Sequence, residues 1–498
     1  MPTWHDTLLS TLTLGTARRD ISTDLTKWLE EKDALDPTAT PDVAEQLLTA
    51  WTITERLQRL QPGQVVDTNI SAAPAEEREL PGPRRARALE LILRGTYPTL
   101  LPEAITVLER GNLLLPPHLL PELLEEAIKQ LTDEPAVARN MLRVGGHRAL
   151  WLARQHPDWL VLDPDYDLSA AWAAEATPGR RTPLLRRWRA AAPAAAREAL
   201  AAIWPKQSPK NQETLLAGLR VGLSDDDVEW LRDGLTPKRR GVRRAILRLL
   251  LLAGEDRAHD DLIQAATAAF DTDGRFLSII SDGDTKAILD TYGGLHKQES
   301  ISEFLLINLP PATLPELIDK PFVEFWASLT KAQLYAAATA IKDYADLSVA
   351  SEFVAFALRA NVAQLPVGLV AEITSMLPQE NFLAIFHQLL TAEQHALHHG
   401  GIARLLVLSR QEPWSERISK AFILQLVGTL RNLTQLPFAL QRDLQSHWKL
   451  SIPLLSPDIF GWSRTHLHSM TERADVFGKL ATETLQTLAF RRVLWEEL

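Results

Sequence analysis

Two amphipathic helix patterns and the turn between them stand out in residues 224–254. In the first pattern Val228, Leu231 and Leu235 recur at helical spacing, and Ser224 followed by three aspartates predicts a capped helix start. The second pattern has its apolar stripe at Val242, Ile246, Leu249 and Leu250, with arginines on the flanks. Because neither helix can bury its apolar side alone, this helical hairpin predicts neighbours of the same kind.

Similar patterns of about 10 to 16 residues, joined by short connections, follow one another through most of the chain. Sustained alternation of apolar and polar residues, which is typical of half-buried strands, is missing from the sequence. We therefore predict an all-α fold, an α-solenoid of stacked helical hairpins that is HEAT-like in its middle and has little or no β-structure. Residues 163–182 show no such periodicity, and we predict a loop there.

A second stretch without periodicity, rich in Pro, Gly, Ala and charge, runs from Gln61 to Arg84 and predicts a linker or long loop. The predicted organisation is an N-terminal helical segment at 1–61, the linker at 62–84, a HEAT-like helical region at 85–270 and a C-terminal helical region at 271–498.

Composition excludes several classes of protein. The 498 residues are 46% hydrophobic and 23% charged, which is typical of folded proteins and not of disordered ones. The absence of cysteine excludes disulfides, thiolate metal sites and cysteine nucleophiles. No apolar run is long enough to span a bilayer and the first residues do not resemble a signal peptide, so we predict a cytoplasmic protein.

Charge is unevenly distributed along the chain. The formal net charge is −10, yet residues 180–250, here called the basic segment, contain sixteen Lys and Arg and only seven Asp and Glu. This surplus predicts either an acidic partner or internal salt bridges, for example to Asp225, Asp226 and Asp227. The candidate partner-binding residues are Arg180, Arg181, Arg187, Arg239, Arg240 and Arg244. Nucleic-acid phosphates are an alternative ligand for the same arginines.

The hairpin resembles a HEAT repeat, and the resemblance implies a structural pair between Asp233 and Arg243. The whole chain resembles an uncharacterised bacterial family of HEAT-like helical proteins, typically encoded beside a MoxR-type AAA ATPase, a von Willebrand A-domain protein and a SWIM zinc-finger protein. The matching pieces are Leu14-Gly15-Thr16 with Arg18, residues 146–152 (GHRALWL), residues 215–250, Pro413-Trp414-Ser415 and Phe490-Arg491. The resemblance implies a domain of unknown function, with no activity and no cofactor assigned.

Histidines 395, 398 and 399 form the nearest approach to a metal site, because His395 and His399 would share one face of a helix. No acidic third ligand accompanies them, and the sequence contains no nucleophile elbow and no phosphate-binding loop. We therefore expect neither a metal nor a catalytic site. The first hypothesis is a non-enzymatic scaffold that binds a protein, with the AAA ATPase and the von Willebrand A protein as candidate partners. The alternatives are a nucleic-acid-binding protein and, third, a metal-dependent hydrolase.

Overall fold

The structure is a computed structural model. It describes residues 11, 13, 23–31, 42–60, 71–132, 134–235, 239–277, 283–359, 366–393, 395–398, 401–410, 412–431 and 437–496. The chain divides into two compact units, Met1–Ala72 and Ala73–Leu498, and the boundary between them falls within the predicted linker segment.

Unit 1 contains two described helices, α1 (Thr23–Glu31) and α2 (Val43–Leu60). They contact each other, and the buried residues of this small core are Leu25, Leu29, Leu47 and Ala50.

In unit 2 the described regular elements are helices. Its first helices are α3 (Pro83–Leu93), α4 (Leu101–Arg110), α5 (Leu120–Leu131), α6 (Pro135–Gln155), α7 (Leu168–Ala174), α8 (Pro178–Ala191), α9 (Pro193–Ile203), α10 (Pro209–Leu216) and α11 (Val228–Asp233). The next are α12 (Arg240–Leu252), α13 (Asp256–Ala269), α14 (Gly283–Thr291), α15 (Ile301–Asn308), α16 (Thr313–Leu317), α17 (Phe322–Ala327), α18 (Lys331–Tyr344) and α19 (Leu347–Arg359). The last are α20 (Val367–Met376), α21 (Gln379–Ala392), α22 (Ile402–Leu408), α23 (Glu416–Leu430), α24 (Phe438–Ser451), α25 (Phe460–Thr471) and α26 (Val476–Trp495).

From α8 onward most of these helices stack in two rows, and each helix of a row contacts the next member of that row. One row contains α8, α10, α12, α15, α18, α20, α22, α24 and α26. The other contains α17, α19, α21, α23 and α25. One continuous hydrophobic core runs between them from Trp172 to Leu488. This arrangement is solenoid-like, because each helix buries its apolar side mainly against near neighbours in the chain.

The predicted all-α fold is confirmed for the part of the chain that the structure describes, where only two isolated β-bridges occur, Glu79 with Leu113 and Phe270 with Phe276. In the hairpin, the start is capped as predicted, since the Asp227 carboxylate accepts a hydrogen bond from the Ser224 N–H at 3.1 Å. The stripe from Val242 to Leu250 is buried. No helix among the described residues is both long and apolar enough to cross a membrane.

The predicted loop at 163–182 is wrong, because this stretch contains α7 and the start of α8. The Asp167 carboxylate caps α7 by accepting from the Ala170 N–H at 2.9 Å, and Pro178 begins α8. Only two residues of α7, Leu168 and Trp172, are buried. A helix this short, with one apolar pair, lacks the repeated periodicity on which the prediction relied.

The two ends of unit 2 are packed together, since α26 contacts both α3 and α4. Between them, Arg491 donates to the Glu103 carboxylate from Nε at 2.6 Å and from Nη2 at 3.0 Å. The ring of Phe490 stacks on that of Tyr97 with centroids 4.3 Å apart. The two ends of unit 2 are therefore joined through a buried ion pair and a partly buried aromatic contact.

Candidate functional site

The first part of the basic segment is largely bound to its own neighbours. Arg187 donates to the carbonyl oxygens of Val161 and, at 2.8 Å, Asp163, and burial lowers the pKa of its guanidinium. The guanidinium of Arg181 lies 5.0 Å from the centroid of the Trp172 ring and donates to the Trp172 carbonyl at 3.4 Å. Arg180 is exposed to solvent. Two of these three candidate residues therefore hold neighbouring parts of the fold together.

The second part, at the start of α12, behaves in the same way. Arg244 forms two hydrogen bonds of 2.5 Å with the Glu299 carboxylate. Burial alone would raise the pKa of Glu299, but the bonds from Arg244 and from the His296 N–H outweigh it and lower that pKa. Arg240 donates to the Leu295 carbonyl at 2.8 Å, whereas Arg239 is exposed.

Other arginines of the basic segment pair with carboxylates in the same way. Arg189 and Arg197 both bind Asp227, at 2.5 and 2.9 Å, and the Arg189–Asp227 pair is fully buried. Arg220 and Arg248 share Asp343, a residue outside the segment. Many of the positive charges of the basic segment are thus paired within the fold. The role of the six candidate arginines in binding a partner stays a prediction.

The predicted pair of Asp233 and Arg243 also stays a prediction. Arg243 lies near the start of α12 and donates from Nη1 to the carbonyl oxygens of Asp290, at 2.6 Å, and Thr291, at 3.3 Å. These carbonyls are at the C-terminal end of α14, where a cation is favourable.

The histidine cluster is described only in part, because His399 lies outside the described residues. His395 and His398 follow α21, in a turn where the His398 N–H donates to the His395 carbonyl at 2.9 Å. Across the described residues, no group of three or more His, Asp or Glu side chains is placed to hold a metal ion.

A large cavity of about 1010 Å³, which no sequence pattern indicated, lies beside the starts of α15 and α18. Its polar lining includes Ser300, Glu303, Thr330 and Gln333, which cap these two helices through side-chain to backbone hydrogen bonds. These four groups already satisfy helix ends, so they are not free to converge on a bound ligand.

A second cavity, of about 830 Å³, lies along α6, and we call it the cationic recess. Its charged or titratable lining residues are Arg78, Arg139, Arg143 and His147. Its apolar lining residues are Ala136, Leu142, Leu150 and Pro164, and the remainder are Asn112, Asn140 and Gly146. None of the described residues that line it is acidic.

A kink in α6 shapes this recess. Gly146 has φ +71° and ψ −164°, so the backbone leaves the helix for one residue and resumes at His147. The Glu76 carboxylate accepts from the freed Arg148 N–H at 2.7 Å, and a Cβ on Gly146 would lie 2.5 Å from the same oxygen. Only glycine fits here, because the position needs both a positive φ and close approach of Glu76.

A family model with the description "Family of unknown function (DUF5691)" matches residues 7–498. The chain belongs to DUF5691. This membership confirms the predicted resemblance to a helical family of unknown function that covers nearly the whole chain. No curated protein and no solved structure matches this DUF5691 chain. Of the pieces that carried the resemblance, 146–152 forms the kink and its capped helix start, Phe490-Arg491 closes the stack, and 14–18 lies outside the described residues.

Proposed function

We propose that this DUF5691 chain is a non-enzymatic helical scaffold that binds a protein partner. The proposal rests chiefly on how the polar groups of the candidate sites are used. In the basic segment several arginines bind Asp227, Asp343 and Glu299, and in the larger cavity four of the polar side chains cap helices. An enzyme instead needs free reactive groups that converge on a substrate, whereas a stack of helices offers an extended surface for contact.

For the partner we propose a MoxR-type AAA ATPase or a von Willebrand A-domain protein. The reason is that the family that the chain resembles is typically encoded beside proteins of both kinds. The test is to crosslink a tagged full-length chain in its native host and identify the captured proteins by mass spectrometry. Purified candidates are then mixed with the chain and analysed by size-exclusion chromatography with light scattering. We expect one of the two classes to be captured and to co-elute, and failure of both classes in both measurements would refute this partner.

The same preparation tests nucleic-acid binding. Contact with several phosphates must weaken steeply as salt rises. Because so many arginines of the basic segment have internal partners, we expect little binding to a 20-base oligonucleotide even at low salt. Tight, salt-sensitive binding that is lost on charge reversal of the exposed Arg180 and Arg239 would favour the nucleic-acid alternative over the scaffold.

A further inference from the structure

The rim of the cationic recess keeps positive charge available to a ligand. The side chains of Arg139 and His147 are exposed and make no hydrogen bond or ion pair with another described residue. Arg143 shares its charge with Glu109 at 2.8 Å, but its side chain remains 66% exposed. This differs from the basic segment, where internal carboxylates and carbonyls occupy most arginines. A negatively charged ligand is therefore favoured on electrostatic grounds.

The floor of the recess is apolar, and its lining residues include Leu142, Leu150 and Pro164. Such a floor binds apolar side chains, whereas nucleic-acid sites combine phosphate contacts with aromatic platforms for the bases. The described lining contains no aromatic ring apart from the imidazole of His147. A free phosphate would also leave most of an 830 Å³ cavity unfilled. The combination therefore fits a peptide better than a nucleic acid or a small anion.

The recess is held in shape before any ligand arrives. The extended segment before α3 crosses α6, where Glu76 caps the helix after the kink and Arg78 donates to the Arg143 carbonyl. The same segment is tied to the chain after α4, because the Leu114 N–H donates to the Glu79 carbonyl at 2.8 Å. A preformed site loses less conformational freedom on binding than a flexible one.

From these observations we infer that the cationic recess is the docking site for an acidic peptide segment of the partner, in which carboxylates flank a large apolar side chain. The carboxylates lie at Arg139 and His147, and the apolar side chain lies on Leu142 and Leu150. This inference rests on the proposed function, since it assigns that partner's binding site.

The first experiment selects random 12-residue peptides displayed on phage against the immobilised full-length chain. We expect enrichment of sequences that combine Asp or Glu with Leu, Ile or Phe. The best peptide is then synthesised with a fluorescent label, and its affinity is measured by anisotropy. Failure to enrich any peptide, or enrichment of basic or purely polar ones, would overturn the inference.

The deciding variant is Arg139→Glu/His147→Glu, which reverses the charge at Arg139 and adds a negative charge at position 147. Both positions are exposed, and neither change removes an internal side-chain bond. We expect it to weaken peptide binding by about tenfold or more, because the attraction at Arg139 becomes repulsion and a second negative charge is added beside it. The matched control is Arg186→Glu, another exposed arginine, on α8, which should leave the affinity unchanged. Equal weakening by both changes would show non-specific attraction and contradict the site, as would displacement of the peptide by the 20-base oligonucleotide.

The crosslinking experiment separates this inference from the proposed function. If the double variant still captures the partner as well as the unaltered chain does, the recess is not the docking site although the scaffold function stands. If the unaltered chain captures neither proposed class but binds selected acidic peptides that the double variant loses, the proposed partner fails and the recess assignment stands. Loss of both partner and peptide in the double variant alone supports both proposals.

Discussion

Replacing Arg491 by Met tests whether the closure between α26 and α4 stabilises unit 2. Methionine keeps much of the length of the side chain but removes every donor. Arg491 has no exposed side-chain surface and Glu103 only 6%. After the change, the Glu103 carboxylate keeps the Trp495 Nε1–H at 2.8 Å, and the Leu455 carbonyl loses its bond from Arg491.

Removing one partner of a buried ion pair costs about 3–5 kcal/mol, because the other charge stays buried without compensation. We expect Arg491→Met to lower the free energy of unfolding of unit 2 by this amount, and Glu103→Leu to have a similar effect. The double variant Glu103→Leu/Arg491→Met leaves no unpaired charge, so it should be more stable than either single variant.

The assay is urea unfolding followed by tryptophan fluorescence and circular dichroism. Because a chain with two units need not unfold in one step, hydrogen exchange of α26 peptides identifies the transition that belongs to unit 2. Arg492→Met is the matched control, since this neighbouring arginine is half-exposed and pairs with Glu496 at 3.6 Å. We expect it to cost less than about 1 kcal/mol. The reasoning is refuted if Arg491→Met costs no more than Arg492→Met, or if the two single effects simply add in the double variant.

Three further substitutions test other features of unit 2. Gly146→Ala places a Cβ against a carboxylate at positive φ, so thermal denaturation should show a loss of about 1–3 kcal/mol, whereas Gly179→Ala, with nothing within 4 Å, should change little. The second concerns Asp227, where burial raises the pKa but bonds from two arginines outweigh it, so the folded-state pKa lies below the ordinary 3.8. The contribution of Asp227 to stability is therefore present above pH 3.8 and is lost as the pH falls through the lower folded-state pKa. Between pH 7 and pH 2, the urea midpoint should therefore fall more steeply for the unaltered chain than for Asp227→Asn. A shallower or equal fall would contradict this assignment. The third substitution is Arg404→Met. Burial lowers the pKa of Arg404 to about 10, below the ordinary 12.5. Keeping the buried side chain charged therefore lowers the free energy of unfolding below pH 10, and this cost decreases as the pH rises above that value. Relative to Arg404→Met, the unaltered chain should gain stability between pH 9 and 11 in urea midpoints, and an unchanged difference would be evidence against this penalty.

The helices could be predicted because their signals depend on residues that are close together in sequence. Stripes such as Val242 to Leu250 and caps such as Ser224 need only their own neighbours in sequence, and the structure confirms both. The helices at 168–182 escaped prediction because α7 is too short to repeat its apolar spacing.

The closure and the recess could not be predicted, since their parts are far apart in sequence. Glu103 and Arg491 are 388 residues apart, and the sequence around each of them does not indicate which residue it pairs with. The recess combines Arg78, placed in the predicted linker, with Arg139 on a later helix. Similarly, the basic segment looked unbalanced because one of its counter-charges, Asp343, lies about a hundred residues further along the chain.

The packing of α26 against α3 and α4 changes how this solenoid is expected to lose structure. In an open row of repeats, the terminal helices have a neighbour on one side only, so they fray first and need polar capping repeats. In unit 2 the first and last described helices instead pack against each other, so neither of them forms a free edge at which unfolding starts. Detaching α26 would thus expose two apolar surfaces at once, and the two ends of unit 2 should unfold in a single step.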